Sequence, residues 1–450
     1  MSFLTYQDYK DSGIDWLGKV PKHWRICKVK HVSSFFTGWT PPTGRSDFYE
    51  GDNPWANISD LGPKILNETS KQISDSALEN VQISKSKKGS LLFSFKLSIG
   101  QVSFAGVDMY TNEAIATFPT NDLIDLDYAY YAYPIFIVKN ASTNIYGAKL
   151  LNQELIKSAK VALPTMEEQC SIANFLDHET AKIDLLIAEQ EKLIELLKEK
   201  RLAIISHSVT EGLDPKVRMK DSGYGWLNRI PENWRIGRLK HIKSTEKNSF
   251  VDGPFGSNLK SEHFIEGGDV YVIESNFATK GFLELNQLKT ISMEHFETIN
   301  RSEVRAGDIV IAKIGAQYGK SSILPNLDKK AVVSGNSLKL TVNPNLADVK
   351  YVNWFLVNLK SLGVMEDIVN TTAQPALSLG ELNNLPILIP PLKEQKLIVE
   401  YLDEVLNKFQ SLIDEANLSI VLLQERRSAL ISAAVTGQID VYNYESKEAA

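Results

Sequence analysis

Cysteine is nearly absent from this 450-residue chain, which holds only Cys27 and Cys170. Two cysteines cannot build a disulfide framework or a four-ligand zinc site, and free thiols in a reducing cytoplasm are the simpler reading. Long apolar runs are missing as well. No stretch approaches the ~20 residues that a membrane-spanning helix needs. The first residues, Met1 to Lys10, lack a basic region followed by an apolar run, so no secretory signal is visible. Strong basic charge is also lacking, since the net charge is −6. By segment it is +1 over residues 1–165, −6 over 166–214, +3 over 215–391 and −4 over 392–450. The acidity sits in two segments, and the two longer ones permit a basic face without arguing for one.

Catalytic signatures fail on spacing. Gly315-Ala316-Gln317-Tyr318-Gly319-Lys320-Ser321 resembles a phosphate-binding loop, but that loop needs four residues between its glycines and this stretch has three. A tight turn is expected instead. The only Pro-Pro pairs precede Thr43 and Leu392, so neither forms the Pro-Pro-aromatic tetrapeptide of a DNA adenine methyltransferase. Seven scattered histidines show no metal-ligand spacing, and no nucleophile–base constellation appears. The chain is expected to carry no catalytic site, metal or cofactor of its own.

What the chain does contain is a copy of itself. Lys10-Asp11-Ser12-Gly13, Trp16-Leu17, Pro21, Trp24-Arg25-Ile26 and Lys30-His31 recur 210 residues later, from Lys220 to His241. Pro164, Glu168-Gln169, Ile172 and Leu176-Asp177 recur at an offset of 226, as do Arg201, Ala203, Ile205-Ser206, Val209-Thr210 and Asp214. Between these anchors similarity is faint: Lys71, Ile73-Ser74 and Gly89 match at an offset of 218, and Asn112 and Thr117 match Asn336 and Thr341 at 224. Climbing offsets mean small insertions in surface loops on one shared fold.

Residues 166–208 and 392–434 read as long helices, without internal proline or glycine. In the second, a 4-3 heptad through Ile398, Leu402, Val405, Phe409, Leu412, Ala416, Ser419, Leu423, Arg426 and Leu430 marks an apolar seam. The equivalent seam of the first helix, through Ile172, Leu176, Ile183, Leu186, Leu193 and Leu197, is more broken. Each helix would run roughly 65 Å. Because the halves are repeats, the economical arrangement pairs the helices antiparallel, as a coiled coil with a globular domain at each end. The globular segments read as mixed α/β (α+β): Ser90–Phe95 and Asp308–Lys313 as buried strands, Tyr128–Tyr133 and Tyr351–Leu356 as short helices. The expected domains are therefore 1–165 and 215–391, with helical segments 166–214 and 392–450. Trp16/Trp226 and Trp24/Trp234 read as core and frame.

The paired openings and the paired Pro-x-x-x-Glu-Gln-x-x-Ile helix starts resemble those of specificity subunits of type I restriction–modification enzymes. The resemblance spans about residues 9–440. It implies two target-recognition domains, each reading one half of an interrupted double-stranded DNA sequence in the cytoplasm. The helices would act as a ruler and dock modification (methyltransferase) subunits and motor–nuclease restriction subunits. Those partners would supply S-adenosylmethionine, ATP and Mg chemistry, with no membrane involved. Candidate DNA contacts are Arg45, Lys85, Lys87, Lys88, Tyr146 and Lys149 in the first domain. In the second they are Ser257, Asn258, Lys260, Gln317, Tyr318, Lys320 and Gln374. Base edges favour side-chain forks, and phosphates favour basic and hydroxyl groups. Candidate partner contacts are Glu168, Gln169, Arg201, Glu394, Gln395 and Arg427, with helix capping as the competing reading for the acid–amide pairs. The rival reading of the whole chain is a coiled-coil scaffold with two protein-binding heads and no DNA.

Overall fold

The computed structural model describes residues 4–79, 81–254, 256–370 and 375–442. Two helices dominate it, Met166–Thr210 and Leu392–Val435, of 45 and 44 residues. Acidic residues in their first turns (Glu167 and Glu168; Glu394) suit the positive end of the helix dipole. The chain forms two compact units. One gathers the residues up to Gln190 with those from Leu418 onward, and the other is Glu191–Asn417. Each unit joins one of the expected globular domains to the start of one long helix and the end of the other, which share its core. In the first unit Ile172, Leu176 and Ile183 share a core with Leu430, Ala434 and Val435. In the second, Ile205 and Val209 share one with Ile398, Leu402 and Leu406.

The buried seam departs from the expected heptad at alternate positions. Phe409, Ala416 and Leu430 lie on it as expected, but Leu412 is 48% exposed while Ile413 is 6% exposed. Leu186 and Leu193 of the first helix are likewise exposed, and Ile194 is buried instead. Adjacent apolar residues fit a 4-3 or a 3-4 phase equally well, so spacing alone chooses wrongly here.

The repeated motifs build the frame. Lys-Asp-Ser-Gly is a turn in which the Asp11 carboxylate accepts from Gly13 N–H and the Asp221 carboxylate from Gly223 N–H, both at 2.8 Å. These turns close the hairpins Tyr9–Asp11 with Lys19–Pro21 and Met219–Tyr224 with Leu227–Pro231. The Trp-Arg-Ile segments follow: Arg25–Lys28 pairs antiparallel with Lys160–Leu163, and Arg235–Arg238 with Pro386–Ile389. Trp24 and Trp234 are fully buried, as core residues should be, whereas Trp16 is 39% exposed and Trp226 half-buried. The second pair of tryptophans is rim rather than core; Trp16 packs its ring against Phe136.

Helices Leu126–Lys139 and Val349–Ser361 are capped by the carboxylates of Asp125 and Asp348. Their tyrosines tie the domains to the far ends of the long helices. Tyr128 donates to Ala162 O at 2.9 Å and lies 3.4 Å from Val435 O, and Tyr351 donates to Val209 O at 3.2 Å. Burial pushes both phenols well above their ordinary pKa, so they remain donors.

Besides its two-stranded pairs, each globular domain holds two larger sheets. The first domain orders Phe36–Thr37, Ile115–Phe118, Leu91–Ser94, Val102–Ala105 and Ile65–Leu66 in one sheet, and Tyr110–Thr111, Asn53–Ala56 and Lys71–Ile73 in the other. The second domain repeats this with Phe250–Asp252, Ser337–Leu340, Ile309–Ala312 and Ser321–Ile323, then Lys289–Ile291, Val270–Ile273, Lys330–Val333 and Glu303–Val304. The apolar runs expected as buried strands, Leu91–Ser94 and Ile309–Ala312, are the sheet centres, with every residue buried.

Candidate nucleic-acid interface

Equivalent backbone hydrogen bonds fix which loop residues of the two domains correspond. Asn112 N–H donates to Ala56 O, as Ser334 N–H does to Ile273 O; Phe95 N–H donates to Ala114 O, as Lys313 N–H does to Asn336 O. Asn336 is therefore the counterpart of Ala114, not of Asn112. Thr117 and Lys339 face the equivalent strand positions Leu92 and Val310, so Thr341 is not its counterpart. Matching side chains misled the alignment where the loops differ in length.

In the second domain these strand ends surround a cleft of about 640 Å³. Lys260, Ser261, Glu274, Asn276, Lys289 and Asn336 bring both donors and acceptors to it. Lys289 pairs with Glu274 at 2.8 Å within this lining. Ile314, at the start of the loop that follows the central strand, forms part of the wall. That loop carries three expected contacts. Gln317 and Lys320 are exposed, but the Tyr318 ring lies under the Lys360 ammonium at 3.7 Å and is half-buried. The glycine-flanked stretch is a turn, with Tyr318 N–H donating to Gly315 O and Gly319 N–H to Ala312 O. Lys260 lies 3.6 Å from Glu262, and Asn258 offers its carbonyl to His295 Nε2. The side chain of Ser257, and Gln374 altogether, lie outside the described residues.

The first domain scatters its candidates. Lys85, Lys87 and Lys88 precede the central strand Leu91–Ser94, at the end opposite the loop Lys96–Gly100. Lys87 is paired with Asp108 at 2.8 Å, and Lys85 sits 5.3 Å from the Tyr110 ring centre. Lys88 opens onto a cleft of about 1000 Å³ that also holds Asp122, Asp125 and Asp127. With three aspartates against Lys64 and Lys88, the lining is net acidic, which disfavours a phosphate there. Arg45 is exposed and grips Asp47 through two hydrogen bonds at 2.8 and 2.6 Å, which raises its own pKa and lowers that of the carboxylate. Tyr146 and Lys149 stand exposed on the hairpin Ser142–Thr143 with Lys149–Leu150.

The sequence candidates did not include Glu274, Asn276 or Lys289, and Asn336 entered only as the supposed match of Asn112. Only their placement at strand ends unites them, and that placement needed the true correspondence between the halves.

A model of the type I restriction modification DNA specificity domain matches the chain twice, over residues 21–196 and 254–420. The chain belongs to that family. It is 23% identical to the type I restriction enzyme MjaIX specificity subunit of Methanocaldococcus jannaschii, with 98% of each chain covered. It is also 23% identical to the type I restriction enzyme EcoKI specificity subunit of Escherichia coli, over 94% of this chain and 90% of that relative. Among solved structures, a chain from a study of complex assembly and conformational transition of the type I R-M system matches with a TM-score of 0.69 at 14% identity, covering 92% of this chain and 98% of that one. The HsdS subunit from Thermoanaerobacter tengcongensis matches at 0.52 and 14% identity, covering 93% and 98%. Likeness at that identity establishes the shared fold.

As a member of the specificity family the chain has a role in DNA target recognition, and the matched residues include both clefts. The acid–amide pairs at the helix starts work inside this fold. Gln169 and Gln395 are 1% and 0% exposed. Gln169 accepts from Asp125 N–H and donates to Pro164 O; Gln395 accepts from Asp348 N–H and donates to Pro390 O. Glu168 accepts from His23, Trp24 and Thr165, and Glu394 from Trp234. Burial alone would raise the Glu168 carboxyl, but these hydrogen bonds outweigh it and hold the group below its ordinary pKa. Such residues lock domain to helix and leave little surface for a partner. Arg427 pairs with Asp184 of the opposite helix at 2.8 Å, and Arg201 is half-buried at the equivalent position. Apolar exposure lies elsewhere on the helices: Leu185, Leu186, Leu193 and Leu196 on the first, Leu418, Val421 and Leu422 on the second. Among the described residues no helix is long and apolar enough to cross a membrane, and no group of three or more His, Cys, Asp or Glu is placed to hold a metal.

Proposed function

We propose that this chain reads a bipartite, interrupted double-stranded DNA target in the cytoplasm and directs methyltransferase and ATP-dependent restriction subunits to it. The observation that carries this reading is one topology used twice, with equivalent backbone bonds at the strand ends and different side chains beyond them. Two different readers on one frame suit two different half-sites. Each domain would present its loops to the major groove, where every base pair shows a distinct pattern of donors and acceptors. Asn276 and Asn336 supply amide forks, Glu274 an acceptor, and Lys260 and Lys320 phosphate contacts.

The exposed leucines of the long helices fit the docking of modification subunits, since an apolar row on a helix is covered in a working assembly more often than left in water. S-adenosylmethionine, ATP and Mg would be bound by the partners, and this chain would carry no catalytic group. Co-expression with the methyltransferase subunit and genome-wide mapping of methylated adenines tests the proposal. A motif of two short elements separated by unspecified bases is expected. A contiguous motif, or a stable complex without methylation, would favour the protein-binding scaffold.

A further inference from the structure

Leu97 has the backbone of a glycine and the exposure of a loop lysine. It lies at φ +56°, one of two non-glycine residues with positive φ among the described residues; the other is Asn248, a residue type that tolerates this region. Its side chain is 91% exposed. The ladder brackets its loop in both domains. Ser94 N–H donates to Gln101 O as Ala312 N–H does to Lys320 O, and Gly100 and Gly319 N–H groups return to Ser94 O and Ala312 O. The first loop is one residue shorter, and counted from the equivalent strand residues Phe95 and Lys313, Leu97 falls at Gly315, at φ +91°. The second domain fills this left-handed position with the residue that adopts it freely. The first fills it with a leucine that pays in strain and gains no burial.

Packing gives no reason for that choice, since nothing in the fold needs a leucine side chain there. Position does give one. The neighbour of Gly315, Ile314, lines the cleft of the second domain, so the Leu97 loop occupies the corresponding place in the first. Lys96 beside it is also exposed, giving an apolar tip with a cation at its edge. Strained, exposed residues held by their surroundings cluster where ligands are contacted.

We propose that Leu97 is a specificity-determining residue of the first domain, making an apolar contact with a base of its half-site. This rests on the reading of that domain as a DNA reader. An apolar group held against a base edge discriminates by shape and by the thymine methyl, and it adds no phosphate contact. Replacing it should relax one position of the target without weakening the electrostatic part of binding.

The test uses the complex with methyltransferase subunits, its mapped target and every single-pair replacement in that target, for the wild type, Leu97→Gly, Leu97→Asn and Ser98→Ala. Both Leu97 variants relieve the strain, so the melting temperature should stay level or rise. Affinity for the correct target should fall about five-fold or more, with discrimination lost at one or two adjacent pairs of one half-site and the salt slope unchanged. Ser98→Ala should keep the wild-type profile. Unchanged discrimination in both Leu97 variants, or a uniform loss over all sequences with lower melting temperature, would overturn the assignment. A wild-type complex that binds no duplex DNA would instead overturn the DNA reading beneath it.

Discussion

Glu168 and Glu394 receive the same tryptophan N–H in their respective domains, at 3.2 and 3.0 Å, and Gln169 and Gln395 each bond the residue that caps a neighbouring helix. At the strand ends the two domains agree only in backbone: Leu97 stands against Gly315, Ala114 against Asn336. The lesson is a division of labour within each domain. Residues that grip the long helices are repeated because the helices they grip are repeats. Residues at the loop tips are free of that constraint, and they vary as two readers of different sequences would. Similarity between the halves therefore marks the frame, and under the proposed function dissimilarity at equivalent backbone positions would mark the reading surface.

The comparison is broken most severely at the frame. Trp24→Ala should cost about 3–5 kcal/mol, because it empties a fully buried indole site and strips a donor from Glu168. Trp16→Ala, at the exposed rim, should cost far less; equal losses in denaturant unfolding would refute the distinction between core and rim tryptophans. Next comes Gly437→Ala. This residue ends the second long helix at φ +73°, and an added Cβ would lie 2.3 Å from Pro21 Cδ and 3.2 Å from Trp24. A loss of about 2–4 kcal/mol is expected, and a melting temperature equal to wild type would show that this closure is loose.

Glu168→Gln is a smaller change, about 1–2 kcal/mol at neutral pH, and it carries a pH signature. The folded carboxyl titrates below its ordinary value, so its stabilising effect is complete above the unfolded pKa of about 4.3 and is lost as pH falls through the folded value. The gap between wild type and variant should therefore close as pH falls through the acid range. A gap that widens in acid would contradict the assignment. Smallest of all is Arg427→Ala, at about 0.5 kcal/mol or less, since its pair with Asp184 is largely exposed.

Much of this frame was legible in the sequence because repetition is itself a signal. The duplicated Lys-Asp-Ser-Gly turn, the tryptophans and the Glu-Gln pairs announce two copies of one fold, and proline-free heptads announce the helices. The heptad phase was not legible, because Leu412-Ile413 and its like fit either face. The partner role read for Gln169 and Gln395 gave way to burial, which no spacing rule reveals. The tips were least legible. Lys85, Lys87 and Lys88 look like a phosphate cluster in sequence, yet they sit at the strand end away from Leu97, two with partners in the chain and the third beside acids. Glu274, Asn276 and Asn336 are ordinary residues until the strands bring them to one cleft.

The central claim is that each domain reads its own half-site through those tips. Methylated-adenine mapping with the wild type and with a Glu274→Ala, Asn276→Ala, Asn336→Ala triple variant tests it most directly. The account predicts a two-part motif in which the variant relaxes one half and leaves the other half and the spacing unchanged. A motif altered in both halves, or a contiguous motif for the wild type, would contradict it.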